Sequence, residues 1–241
     1  MRIEYKTLNY RYALPEQRPK MLKDWYSDIM HGAKLDLEHP KTFNEKIQWI
    51  KLNDLDELKT KLTDKFAVRD WVKDKIGEQY LIPLFGVYDN PDEINWDELP
   101  QEFVIKCNHG CKWNIIVKDK QSLDKPKVKS QLNRWLNTTY VYYGFELQYI
   151  HIQPKIIIEK KMENEGFEEL FDYKFYCFGG KPEYIQFGHD RENGGVKFAT
   201  FNLKWEKQNF AYNHPITNKV VEKPGNLEVM LKLSGKTIRW V

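Results

Sequence analysis

The chain has 241 residues, 41% apolar and 15% aromatic, with 38 basic against 35 acidic side chains and a net charge of +3. That is enough apolar and aromatic material for a folded core and too much for a disordered chain. The near-balance of charge excludes the strong basic footprint of a nucleic-acid binder, and the absence of an eighteen-residue apolar run or of a signal-type N-terminus predicts a cytoplasmic protein without a transmembrane segment.

Three cysteines, Cys107, Cys111 and Cys177, are an odd number without a secretory signal, which predicts reduced thiols. Cys107, His109 and Cys111 invite a zinc reading, but no second Cys/His pair with finger-like spacing follows to complete four ligands.

In chain order, residues 1–41 are mixed, with Pro15, Pro19 and Pro40 as breakers and a short helix predicted from Met21 to Met30 around Leu22, Trp25, Tyr26 and Ile29. Thr42 and Glu45 stand at capping-box spacing ahead of Phe43, Ile47 and Ile50, which predicts a helix over about 43–52. A stripe of Ala67, Val68, Trp71, Val72 and Ile76 predicts another, closed by Gly77 in a left-handed cap.

YLIPLFGVYD reads as a strand interrupted by Pro83, and the acidic, turn-rich NPDEINWDELP as a loop with a short helix. FVIKCNH and NIIVKDK, joined through HGCKW, read as a hairpin with glycine at its tip. Val128, Leu132, Trp135 and Leu136 place a helix in 125–147, and KIIIEKKM is a buried-type strand ahead of the polar linker ENEGFEEL. DYKFYCFGGKPEYIQFG gives two strands about Gly179-Gly180, KFATFNL a further strand, and NLEVMLKLS an amphipathic stretch. No βαβ alternation with a G-x-G-x-x-G turn is present, against a dinucleotide-binding Rossmann domain.

Three stretches carry chemistry. A glycine loop between strands lets a ligand approach the main chain, as phosphate cradles require. Strand alternation turns Lys106 away from Ile105 and Cys107, and Lys118 adds charge on the returning strand. On its own this stretch reads first as an ordinary amphipathic hairpin with solvated lysines. IIIEKKM ends an apolar strand in Glu159, Lys160, Lys161 and Met162, either a main-chain edge for a flat base or a strand entering a polar turn. Asp172 and Lys174, two apart, share a face as an ion pair or as two ligand-directed charges, and Arg191 follows within HDR.

Taken in order, TFNEKIQWIKL, TDKFAVRDWVKDKIGEQYLIPLFGVYD, FVIKCNHGCKWNIIVKDK, PKIIIEKKM and DYKFYCFGGKPEYIQFGHDR resemble the ATP-grasp-like family of teichuronopeptide-biosynthesis type, over residues 41–205. Its members occur in bacterial capsule and polysaccharide clusters, some labelled glycosyltransferases. The resemblance implies an α+β ATP-grasp fold: a helical segment over 1–60, a first subdomain over 61–160 with the phosphate-loop hairpin, and a second over 161–241. It also implies a carboxylate–amine ligase that works through an acyl phosphate on a carboxylate-bearing sugar or polysaccharide precursor and an amine or amino acid. The alternatives are a nucleotide-sugar glycosyltransferase and a catalytically inactive nucleotide-binding assembly protein.

The resemblance further implies roles for individual residues, with ATP and Mg2+ as cofactors. Lys106 takes the strand lysine on the α- and β-phosphates, and His109 to Asn114, including Gly110 and Trp113, the phosphate loop. Lys118 stands as a second contact. Glu159, Lys160, Lys161 and Met162 take the hinge that receives adenine, although many relatives carry an acid where Lys161 stands. Asp172 takes the ribose, while Lys174 and Arg191 are phosphate or acyl-phosphate contacts. The family's metal-binding acids follow a segment like LSGKTIRWV, with which this chain closes, so an incomplete second subdomain or a chain without those acids is expected; inside it, Asp190 and Glu192 are the acids to examine.

Overall fold

The computed structural model describes residues 14–54, 56–140, 145–164, 167, 169–190, 195–210 and 215–237. They form an α+β chain with two four-stranded antiparallel sheets. Two compact units divide it, one built from the residues up to Arg69 with Pro83–Lys160, the other from Asp70–Ile82 with the residues after Lys160. No helix among the described residues is long and apolar enough to cross a membrane.

The first unit begins with helices α1 (Arg18–Ile29), α2 (Phe43–Asn53) and α3 (Glu57–Thr63). Pro19 does not break α1 but lies in its first turn, where the missing N–H has no helical partner to lose. The Thr42–Glu45 capping box forms as expected: Glu45 N–H donates to Thr42 Oγ1 at 3.2 Å and Thr42 N–H to Glu45 Oε2 at 2.8 Å. Such caps contribute about 1 kcal/mol. Leu22 and Tyr26 of α1 bury against Leu35, Phe145 and Leu147.

Strands β1 (Leu84–Tyr88), β2 (Phe103–Cys107), β3 (Asn114–Val117) and β4 (Ile156–Lys160) form the sheet of this unit in the order β1-β4-β2-β3. β1 starts directly after Pro83, whose ring cannot donate to the ladder. Along β2 the side chains alternate, so Phe103, Ile105 and Cys107 bury on one face while Val104 and Lys106 occupy the other. Ile105 lies beside Ile158 and Cys107 beside Ile156, and α5 (Lys125–Leu136) covers this face with Val128 and Leu132. Burying a side chain such as Leu132 stabilises by roughly 1.5–3 kcal/mol.

α5 ends well before residue 147. Asn137 N–H returns to Asn133 O, and Thr138 Oγ1 donates to Arg134 O at 2.7 Å, a local bond that competes with helix continuation. The glycine cap after α4 (Val68–Ile76) also differs from expectation. Gly77 has φ +114 but ψ 151, an extended conformation open to glycine rather than a left-handed helical cap.

In the second unit β5 (Asp172–Phe178), β6 (Lys181–His189), β7 (Lys197–Asn202) and β8 (Lys207–Gln208) run antiparallel in sequence order. Gly179 and Gly180 both take positive φ, +56 and +77, the conformation a two-residue hairpin turn requires. Phe187, Ala199 and Phe201 form its core, with Trp205 stacked on Phe201 at 4.2 Å, and α6 (Leu227–Thr237) follows with Leu227 buried.

Candidate functional site

The candidate site of the first unit is built on the sheet face opposite α5. β2 presents Lys106 there, and antiparallel pairing with β4 sets Val104 beside Glu159 and Lys106 beside Ile157. Lys106 and Glu159 are therefore diagonal neighbours, and their side chains form an ion pair. Glu159 is 5% exposed. Two residues to which the resemblance gives separate tasks are thus one electrostatic unit. Asn114 lies opposite Lys106 on β3 and is exposed, as is Lys118 just beyond that strand.

The loop from Asn108 to Trp113 is held from behind by buried polar groups. Asn108 is fully buried; its Nδ2 donates to Asp64 Oδ1 and to Gln153 O, each at 2.9 Å, and its Oδ1 accepts from Lys155 N–H at 2.7 Å. Lys65 Nζ donates to the carbonyls of Asn108 and Gly110. Burial pushes the Lys65 pKa below the ordinary lysine value, with Lys106 adding to the depression.

His109, 4% exposed, lies with Nδ1 3.2 Å from Asn108 Oδ1 and Nε2 3.1 Å from Trp135 O. Desolvation lowers its pKa, although the Trp135 carbonyl favours the protonated ring. Trp113 meets the His109 ring edge-on at 5.0 Å and stacks on Trp135 at 6.3 Å. That packing is why Gly110 is glycine: a Cβ there would stand 2.2 Å from the Trp113 ring. The main chain of the loop is thereby pinned to α5 with Lys65 and Lys106 close by in the same unit.

These positions also account for the failure of the zinc reading. Cys107 points into the sheet core, where burial raises its thiol to about 12, while Cys111 is exposed. Both His109 nitrogens already face oxygen atoms.

At the end of β4 and just after it, Lys160 and Met162 are exposed, and Lys161 pairs with Glu163 at 2.7 Å. In the second unit Asp172 and Lys174 share a face of β5 and form an ion pair, with Lys174 Nζ 5.5 Å from the Phe198 ring centre. Arg191 and Glu192 lie outside the described residues. Asp190 follows β6 and groups with Glu169 and His189. Burial works to raise the Glu169 pKa, but the Asp190 N–H at 2.6 Å and the Lys219 ammonium outweigh it and hold it below the usual carboxylate range.

Lys65, Asn108 and Glu169 are the polar residues that sequence reasoning passed over. Lys65 sits in DKFAVRD, where periodicity draws attention to the apolar stripe, and its loop contact spans 45 positions of chain. An asparagine next to a histidine in a glycine loop was the one local signal available for Asn108.

The model of the family described as TupA-like ATPgrasp matches residues 45–238 of the chain. No curated protein and no solved structure matches it.

Proposed function

Because the chain belongs to the TupA-like ATP-grasp family, we propose that it is an ATP-dependent carboxylate–amine ligase of bacterial surface-polysaccharide biosynthesis. The observation that supports this most is the Asn108–Trp113 loop, whose backbone is fixed from behind by Asn108, His109 and Trp113 and flanked by the Lys65 and Lys106 ammonium groups. Preorganised cations and backbone dipoles are what phosphoryl transfer asks of a protein.

In this reading Lys106 contacts the α- and β-phosphates. An ammonium has three N–H groups, so it can keep Glu159 and still donate to phosphate. Lys65 steadies the loop from the other side and Lys118 adds an outer charge. The end of β4 and the residues after it, Glu159 to Met162, take adenine, and Asp172 and Lys174 of the second unit take the ribose and the phosphoryl group; Arg191 is proposed as a further phosphoryl contact.

Chemically, a sugar carboxylate oxygen attacks the γ-phosphorus, breaking its bond to the β-γ bridging oxygen and releasing ADP. An amine then attacks the acyl carbon of the acyl phosphate, and phosphate departs as the amide forms. ATP-grasp folds commonly use Mg2+. Magnesium takes a near-octahedral shell of oxygens, and the one group of three metal-type ligands among the described residues includes the His189 imidazole. That group does not fit Mg2+, and no step here depends on it.

Hydroxylamine trapping tests the reaction. With ATP, a uronic acid and hydroxylamine, the proposed chemistry gives a hydroxamate together with ADP and phosphate in equal amounts. ATP binding without any carboxylate-dependent hydroxamate or phosphate, across a panel of uronic acids and uronate-bearing oligosaccharides, would reject the ligase reading.

A further inference from the structure

The second unit holds a polar group for which the nucleotide reading has no use. Glu169, His189 and Asp190 each bring one ligand-type atom into a cluster whose members lie within 4.8 Å of one another. His189 closes β6 and is 5% exposed, with its ring stacked on Phe187 at 5.7 Å. Its Nε2 lies 2.7 Å from the buried Thr217 Oγ1, which has a second lone pair for the Lys219 N–H it accepts at 3.1 Å.

The other ring nitrogen, Nδ1, is turned toward two carboxylates. It stands 3.7 Å from Glu169 Oε1 and 3.8 Å from Asp190 Oδ2 and makes no hydrogen bond among the described residues. These separations are too long for hydrogen bonds. They are close to those of ligands around a shared ion, since two donors at ~2.1 Å and a tetrahedral angle lie ~3.4 Å apart. A ring nitrogen held by a second partner while the other faces the ion is also the usual arrangement of a ligating histidine.

Residues 189 and 190 are adjacent, so strand alternation would send their side chains to opposite faces. Asp190 takes φ +63, which breaks the alternation and brings its carboxylate to the His189 side. Lys197 at 2.9 Å from Asp190 and Lys219 at 3.2 Å from Glu169 balance the carboxylates in the metal-free chain. Both lysines are close to half exposed, and pairs of that kind are worth only ~0–1 kcal/mol, so a cation can displace them.

We propose that Glu169, His189 and Asp190 form a binding site for a divalent ion of the borderline class, Zn2+ foremost, with the remaining coordination open to water or a small anionic ligand. The mixed imidazole and carboxylate set selects zinc or cobalt over magnesium, and the site is independent of the nucleotide reading.

The chain, freed of metal with a chelator that is then removed, is titrated without nucleotide by Zn2+ in calorimetry and by Co2+ in visible absorption. One ion per chain is expected, with the Co2+ bands of a low-coordinate site and a higher melting temperature with Zn2+ but not with Mg2+. His189→Asn and Glu169→Gln should each weaken binding at least tenfold. Glu169 is partly exposed and Gln keeps its acceptor for the Asp190 N–H, so this variant tests the site even where His189→Asn misfolds. No binding by the wild-type chain, or equal affinity of the wild type and folded Glu169→Gln, would overturn the assignment.

Discussion

Lys106 and Glu159 hold each other on the sheet face opposite α5, so neither can be altered without consequences for the other. Removing the lysine leaves a buried carboxylate unpaired. The full cost of that in an interior is about 3–5 kcal/mol, but the Lys106 side chain is 27% exposed and water supplies part of the compensation. Lys106→Ala is therefore expected to lower unfolding stability by about 1–3 kcal/mol in urea titrations, and Lys106→Met with Glu159→Gln to recover much of it. A loss in the double variant equal to that of Lys106→Ala would show that the carboxylate does not depend on the ammonium. His109 makes a pH prediction. Its folded pKa is depressed by burial, while unfolded histidine titrates near ~6.5. Below that pH the unfolded chain binds the extra proton, so this group contributes a loss of stability on acidification through ~6.5 and nothing above it. The stability difference between wild type and His109→Gln should accordingly narrow between pH 7.5 and 5.5, and a constant difference would refute the assignment.

At the scale of elements, the hairpin is fixed by what lies behind its tip. Gly110→Ala would put a methyl group onto the Trp113 ring, which is stacked on Trp135 and has little room to withdraw. An overpacking cost of about 1–3 kcal/mol is expected, together with reduced ATP affinity; denaturation and binding measurements on that variant that match the wild type would show the loop to be plastic. Strands β1 to β7, the Thr42–Glu45 cap and the Gly179-Gly180 turn were legible because each is encoded within a few neighbouring residues. α3 went unread because its signals are polar and short, with Asp56 Oδ1 accepting from Leu58 N–H as its cap. The helix after residue 125 was read too long because nothing in the sequence near Thr138 signals a stop; there Thr138 N–H turns to Trp135 O and its Oγ1 donates to Arg134 O. The Lys106–Glu159 pair spans 53 positions, and the Lys65 contact with the Gly110 carbonyl 45. Both depend on long-range packing, which local periodicity does not contain.

For the molecule as a whole, membership of an ATP-grasp family points to ATP, and ligand binding is itself a stability measurement. A ligand present at a hundred times its dissociation constant raises unfolding free energy by about 2.7 kcal/mol, so ATP should move the melting transition of the wild-type chain upward. The most direct test of the central claim, that the Asn108–Trp113 hairpin with Lys106 binds the phosphates, is calorimetric titration of ATP into the wild type and into the Lys106→Met, Glu159→Gln double variant, with Glu159→Gln alone as the arm that retains the cation. A charge-assisted phosphate contact is worth about 1.5–3 kcal/mol. The double variant, folded by its melting curve, should therefore bind ATP ~10- to 150-fold more weakly than Glu159→Gln, and equal affinity of the two would contradict the placement of ATP at this hairpin.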